Sequence, residues 1–155
     1  MEIERKFLVS EEKIPENLDD YPAANLEQAY LSTAPVVRVR RSDDSYELTY
    51  KSRGLLAREE YNLPLTEEAY FHLLKKADGR ILTKRRYRIP IPDTELTIEL
   101  DIFSGDYAGL VLAEVEFPSE EAALAFTPPE WFGREVTYTG EYQNSVLAMA
   151  GTEPE

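Results

Sequence analysis

Cysteine is absent from the chain and histidine occurs once. Disulfide staples, thiolate nucleophiles and cysteine metal sites are therefore excluded, and the composition suits a reducing compartment, so a cytoplasmic location is expected. Long apolar runs are missing as well: none approaches the ~20 residues a membrane span needs. The opening stretch Met1-Glu2-Ile3-Glu4-Arg5-Lys6 is charged where a secretory signal would be apolar. No membrane partner is expected. Positive charge is in deficit, with 17 Lys and Arg against 30 Asp and Glu and a formal net charge of -13. That balance argues against a nucleic-acid binder working through a basic surface, though it permits a local basic site. Repeats, low-complexity tracts and Gly/Ser linkers are lacking too, and 155 residues suffice for a single domain over 1–155 with a sizeable core.

What is present is a period of two. Turn clusters such as Ser42-Asp43-Asp44-Ser45, Pro90-Ile91-Pro92-Asp93 and Ser104-Gly105-Asp106 punctuate short runs that alternate apolar and polar residues. The pattern predicts eight strands, at 2–9, 27–33, 36–41, 45–52, 56–63, 80–89, 94–103 and 110–117. Thr66 before Glu67 and Glu68 reads as an N-cap with dipole-matched acids, and Gly79 as a stop. A helix is thus expected over 67–77 with Tyr70, Leu73, Leu74 and Ala77 inward. Ser119-Glu120-Glu121 opens a second helix ending before Pro128-Pro129, and a third over 141–150 would bury Tyr142, Val146, Leu147 and Met149. The fold class is mainly β (α+β). Hairpin-length connections favour an eight-stranded antiparallel barrel with a few flanking helices, since closure removes exposed sheet edges. An open α+β sheet is the alternative.

Parity assigns a face to every strand residue. The charged faces collect the acids Glu2, Glu4, Glu60, Glu99, Asp101, Glu114 and Glu116 and the bases Lys6, Arg38, Arg40, Lys51, Arg58, Lys84 and Arg86. For any single strand a solvated face is the simpler reading. The segregation argues otherwise: some strands are acidic on this face and others basic, whereas like charges directly across a strand pair destabilise it. Acid pairs such as Glu2/Glu4 and Glu114/Glu116 are what a hard divalent cation takes, and rows of Arg and Lys are what a multiply charged anion takes. Together they describe a metal ion complexed to a polyphosphate. Parity alone leaves open which face is inside. If the charged face is the lumen, the apolar faces point outward and need covering by helices and loops.

The alternating Glu2-Ile3-Glu4-Arg5-Lys6, followed in order by Arg38-Val39-Arg40, Lys51, Glu60, Lys84-Arg85-Arg86, Glu99-Leu100-Asp101 and Glu114-Val115-Glu116, resembles the CYTH superfamily, the triphosphate tunnel metalloenzymes that include bacterial tripolyphosphatases. Tyr142-Gln143-Asn144 resembles a further family feature, with Gln143 where many relatives carry Lys. The resemblance implies a tunnel that hydrolyses a linear triphosphate with Mg2+ or Mn2+. Carried over residue by residue, it implies that Lys6, Arg38, Arg40, Lys51, Lys84 and Arg86 hold phosphate oxygens, joined by Arg58 from the same face. Glu2, Glu4, Glu99, Asp101, Glu114 and Glu116, with Glu60, would bind or orient metal and water. Glu2 and Glu4 would attend the attacking water and Lys84 the leaving phosphate. No purine or thiamine pocket is legible, so inorganic tripolyphosphate, cleaved to pyrophosphate and phosphate, is the expected substrate. The alternatives are nucleoside or thiamine triphosphate, ATP cyclisation, and a non-catalytic polyphosphate-binding module. A homodimer is left open. His72 is expected in a packing or surface role, Trp131 and Phe132 in core or lid packing, and the acids between Glu11 and Asp20 in a solvated loop.

Overall fold

The computed structural model describes residues 1–150; the expected domain also takes in 151–155, which lie outside the described residues. The strands are β1 (Glu2–Leu8), β2 (Ala23–Thr33), β3 (Val36–Ser42), β4 (Ser45–Lys51), β5 (Ala57–Arg58), β6 (Glu60–Pro64), β7 (Asp78–Pro90), β8 (Thr97–Ser104) and β9 (Val111–Glu116). They form one antiparallel sheet in the order β5-β1-β9-β8-β7-β2-β3-β4-β6. Its two outermost strands are consecutive in the chain, separated only by Glu59, so the sheet curls into a nearly closed barrel. The single strand expected over 56–63 is therefore two. The same stretch pairs Arg58 with Glu2 on one side and Glu60 with Lys51 on the other. Between them the Glu59 N–H turns to the Ser52 hydroxyl, at 2.8 Å, instead of to a neighbouring strand. The strand expected from residue 94 begins only at Thr97, because Thr94 folds back on the Ile91 carbonyl to make a turn.

The barrel is built inside out. The charged faces point into the lumen, where Glu2, Lys6, Arg38, Lys51, Lys84, Arg86, Asp101 and Glu114 are all buried. Outside, Ile3, Ile89, Ile98, Leu100, Val111, Ala113, Val115 and Phe117 form the larger core. Burying such side chains is the main favourable term in folding, so this outer surface has to be covered. The cover comes from the 10–22 loop through Ile14, Leu18 and Tyr21, from helix α2 (Glu120–Ala125), and from Trp131 and Phe132. Phe132 stacks on Phe7 with ring centroids 4.9 Å apart, the packing role expected of it. Arg5 fastens this cover. It sits among the apolar outer residues of β1, forks onto Glu135 at 2.8 and 2.7 Å, and donates to the carbonyls of Ala123 and Phe126. The strap 133–137 then runs along β1, exchanging backbone bonds with Lys6 and Leu8.

Helix α1 (Glu67–Leu74) is capped by Thr66, whose hydroxyl accepts from the Ala69 N–H, and it lies over β3 and β4. It stops one turn before residue 77. Of its expected inward stripe only Tyr70 is fully buried, its hydroxyl donating to Glu27 at 2.7 Å; Leu73, Leu74 and Ala77 are half-buried. Helix α3 (Asn144–Met149) starts later than residue 141, because Gly140 adopts a left-handed φ of 74° and Gln143 is extended. It buries Leu147 and Ala148 but turns Val146 outward, contrary to the apolar stripe read from the sequence. At this end the lumen face itself becomes apolar: Tyr30, Val36, Leu82, Phe103 and Leu112 meet Leu147, Ala148 and Val136 and plug the barrel. None of the described helices is long and apolar enough to cross a membrane.

Leu100, with no exposed surface in the outer core, should lose about 2–5 kcal/mol of unfolding free energy on replacement by alanine. Val146→Ala on the exposed side of α3 should change it by no more than about 0.5 kcal/mol. Urea titrations of the two variants measure both.

Candidate active site

The open part of the lumen is a cavity of about 190 Å³. Each strand contributes alternate residues to it, so the period-two pattern is the direct cause of the site. Its wall carries Glu2, Glu4 and Lys6 from β1, Arg38 and Arg40 from β3, and Lys51 from β4. Arg58 and Glu60 flank the β5/β6 break, Lys84, Arg86 and Arg88 come from β7, Glu99 from β8, and Glu114 and Glu116 from β9. Thirteen of the fourteen charged residues picked out by parity thus meet in one cavity. The remaining one, Asp101, is fully buried but lies outside the cavity lining. Both its oxygens are occupied: Arg86 takes them at 2.7 and 2.8 Å and Lys84 approaches at 2.7 Å.

Besides Val36, four lining residues lie outside the charged set that parity picked out. Arg88 shares the parity of Lys84 and Arg86 and could have been found by extending that row; it pairs with Glu99 at 3.4 Å. Tyr30 follows by parity from Gln28. Asn144 and Ser145 reach the cavity from the first turn of α3, which no strand pattern reveals. Gln143 lies to one side, at a small recess it shares with Glu4, Lys6, Leu55 and Arg58, where its amide donates to the Gly54 carbonyl at 3.4 Å.

Counted along the wall there are eight cations and six carboxylates, so the lumen is net basic inside a chain whose formal net charge is -13. Most of these charges are paired. Lys51 and Arg58 reach Glu2 at 3.0 and 3.4 Å, Lys6 reaches Glu114 at 3.5 Å, and Arg86 also touches Glu99 at 3.2 Å. Several groups are nevertheless strained as ions. Burial, reinforced by the charges of Glu114 and Glu2, pushes the Glu4 carboxyl up to about 8. Glu116 is likewise raised, by burial and then by Glu2 and Glu99. Glu2 is raised by burial and by its hydrogen bond with Glu60. On β3, burial followed by Arg38 and Arg86 lowers Arg40 to about 9, and the buried Nε of Arg38 has no hydrogen-bond partner. Round the barrel β3 lies four staves from β9 in either direction, counting the broken β5/β6 as one. The strand of Arg40 therefore lies opposite the strand of Glu116 across the lumen.

Lys84 and Asp101 show how tightly the basic side is held. Against the upward push of burial, Arg86 and Lys84 keep Asp101 below the usual carboxylate range. Burial brings Lys84 down to about 7 despite Asp101, because Arg86 and Arg40 repel its charge. Arg86 is the principal partner of Asp101, and an incoming anion would favour the charged form of Lys84.

No three acidic side chains among the described residues converge into a ready-made metal cage. The donor set still fits a hard cation: the Glu4 carboxyl is destabilised as an anion by Glu114 and Glu2, a penalty that a divalent ion between them would remove. With the acids on separate strands, phosphate oxygens and water would complete such an ion's shell. A testable consequence concerns pH. Because the Glu4 carboxyl rises from 4.5 to about 8 on folding, the stability tied to its proton is complete below 4.5 and is lost as pH climbs through about 8. In chelator, the melting temperature of the native protein should fall relative to Glu4→Gln across that interval, and Mg2+ should close the gap.

Comparison with known proteins agrees with this geometry. The CYTH domain model matches residues 1–139. The chain is 42% identical over 152 residues to the inorganic triphosphatase of Nitrosomonas europaea, covering 96% of this chain and 97% of that one. It is 36% identical over 151 residues to the inorganic triphosphatase of Acetivibrio thermocellus, covering 94% and 92%. A crystal structure of an inorganic triphosphatase superposes with a TM-score of 0.71 at 39% identity, over 97% of this chain and 95% of that one. A Hippeastrum protein described as a putative adenylyl cyclase with dominant triphosphatase activity shares the fold alone, with a TM-score of 0.62 at 15% identity over 80% of this chain and 83% of that one. With the family model spanning the strands that build the tunnel and its charged wall, the chain belongs to the CYTH domain family.

Proposed function

We propose that this protein hydrolyses a linear triphosphate, inorganic tripolyphosphate before others, to pyrophosphate and phosphate, with Mg2+ or Mn2+ as cofactor. The observation that carries the reading is the net-basic lumen that holds Arg40, with no carboxylate partner among the described residues, and Arg38, whose buried Nε has no acceptor, together with the raised carboxyls of Glu4 and Glu116. An anion alone would be repelled by the carboxylates and a cation alone by the guanidinium groups; a metal–polyphosphate complex satisfies both. Apart from Tyr30 and Val36 the wall is polar or charged, which suits a substrate without a base or thiamine ring. The similarity to two proteins named inorganic triphosphatase supports the same substrate.

In this reading Lys6, Arg38, Arg40, Lys51, Arg58, Lys84 and Arg86 hold phosphate oxygens, the arginines by forked hydrogen bonds and the lysines as point charges. Glu2, Glu4, Glu60, Glu99, Glu114 and Glu116 hold the cation directly or through water. Asp101, whose oxygens are engaged with Arg86 and Lys84, aligns those two cations instead of ligating the metal. A bound divalent ion supplies charge neutralisation on the phosphates and acidifies a nearby water. Glu2 and Glu4 orient that water for in-line attack on a terminal phosphorus. As the bridging P–O bond breaks, the negative charge developing on the departing oxygen is met by Lys84. Water's oxygen ends in the released phosphate, and no covalent enzyme intermediate is required.

Phosphate release from tripolyphosphate, with and without Mg2+ or Mn2+ and alongside ATP, tests the proposal. Metal-dependent release favouring tripolyphosphate is expected. Tight binding without turnover in either metal would make the protein a binding module, and cyclic AMP from ATP would make it a cyclase. Glu114→Gln and Glu116→Gln should each lower kcat by about 100-fold or more, as expected for a group that stabilises charge at the reacting centre. Near-normal turnover in both variants would remove β9 from the metal site.

A further inference from the structure

Arg40 stands apart among the cations of the cavity wall. Lys6, Arg38, Lys51, Arg58, Lys84, Arg86 and Arg88 each have a carboxylate within 4.0 Å, whereas no such pair involves Arg40 among the described residues. Its guanidinium is nevertheless fixed: Nε and one Nη donate to a single acceptor, the Gln28 Oε1, at 2.9 and 2.7 Å. Gln28 has no exposed surface and every polar atom of its amide is used. Guanidinium can only donate, so the amide oxygen must face Arg40, and the Nε2 then donates to the Tyr30 hydroxyl at 3.0 Å and to the Asn144 Oδ1 at 3.1 Å. The same Asn144 oxygen accepts from Lys84 Nζ at 2.9 Å. A continuous line Arg40–Gln28–Asn144–Lys84 therefore joins two cations on opposite sides of β2 through two neutral amides, and its third member belongs to the first turn of α3.

We infer that Gln28 and Asn144 are positioning residues that hold Arg40 and Lys84 without neutralising them, and that they tie the posture of both cations to the seating of α3 in the end of the barrel. A carboxylate in either place would fix the cations equally well but would cancel the charge the substrate is to meet. An amide oxygen gives direction while leaving Arg40 its full positive charge, and it adds no second carboxylate to the Asp101 that Lys84 already has. This inference rests on the hydrolase reading above, in which Arg40 binds substrate and Lys84 serves the departing phosphate. The two residues should accordingly fail in different ways.

The test pairs steady-state kinetics on tripolyphosphate with ¹⁵N NMR of the Arg40 Nε–H. Gln28→Met, close in volume, should raise KM about tenfold with kcat little changed, since a charge-assisted bond carries roughly that factor. It should also turn the slowly exchanging Arg40 Nε–H signal into a fast one. Gln28→Glu should keep that signal slow yet raise KM at least as much, because the arginine stays in place but is neutralised. Asn144→Ala should lower kcat about tenfold through Lys84. An unchanged KM in Gln28→Glu, or unchanged Arg40 exchange in Gln28→Met, would overturn the inference while leaving hydrolysis by the native protein intact. If the native protein released no phosphate, the hydrolase reading would fail by itself. The holders would then be judged by the same NMR pattern and by tripolyphosphate-induced thermal stabilisation, which both Gln28 variants should weaken and which, if undiminished, would sink them too.

Discussion

Everything in this molecule depends on burying ionised groups in the centre of a closed sheet, the position that globular proteins ordinarily fill with hydrocarbon. Removing a charge from water costs several kcal/mol unless it is paired and hydrogen-bonded. The Asp101, Arg86 and Lys84 cluster meets that condition fully: a carboxylate with no exposed surface takes a forked arginine and a lysine, all within 2.8 Å. It serves as the fixed point on the basic side of the lumen. The less well matched groups, the carboxyls of Glu4 and Glu116 and the guanidinium of Arg40, are destabilised in the protein alone, and a ligand of mixed charge would relieve them. Binding energy is thereby stored in the folded state before substrate arrives.

The inversion of the barrel dictates the rest of the chain. With polar groups inside, the outward faces of β1, β7, β8 and β9 are apolar and must be covered from elsewhere, which is the work of the 10–22 loop, α2 and the Trp131-Phe132 segment. Arg5 is the rivet of this cover. It is the one charged side chain on the outer face of β1, and its fork onto Glu135 lies flat beside the rings of Phe7 and Phe126, at 5.3 and 5.8 Å from their centroids. The strap that ends in Thr137 runs on through Tyr142, whose carbonyl accepts from Lys6 Nζ at 3.2 Å, and into α3. Outer cover and inner site are thus parts of one continuous segment.

Much of this was legible in the sequence because one physical rule, alternation along a strand, governs both the fold and the site. Parity alone grouped the charged residues that line the cavity, from Glu2 to Glu116, and the turn clusters marked the strands in order. What parity could not see was of four kinds. The face that lies inward is decided by what covers the other face, and that is long-range information. The break at Glu59 arises because one strand pairs with both β1 and β4, a consequence of closure invisible to a local pattern. The resemblance implies that Asp101 binds or orients metal and water; its oxygens lie against Arg86 and Lys84, an arrangement made by cross-strand neighbours that only the register brings together. Gln28 and Asn144, being neutral, gave no charge signal at all.

That blindness to neutral residues points to a general property of the site. A buried cation needs an acceptor, and an aspartate is the strongest one to hand, but each carboxylate added to a phosphate-binding wall subtracts from its attraction for the substrate. The two kinds of acceptor are divided along the wall accordingly. Arg86, doubly paired with Asp101 and touching Glu99, is the most firmly held of the cations. Arg40 is held by an amide. Lys84 lies between these cases, with Asp101 on one side and Asn144 on the other; burial, joined by repulsion from Arg86 and Arg40, lowers its affinity for a proton against the pull of Asp101. The wall thus mixes two kinds of acceptor, carboxylates that fix Lys6, Lys51, Arg58 and Arg86, and amides that hold Arg40 and share Lys84.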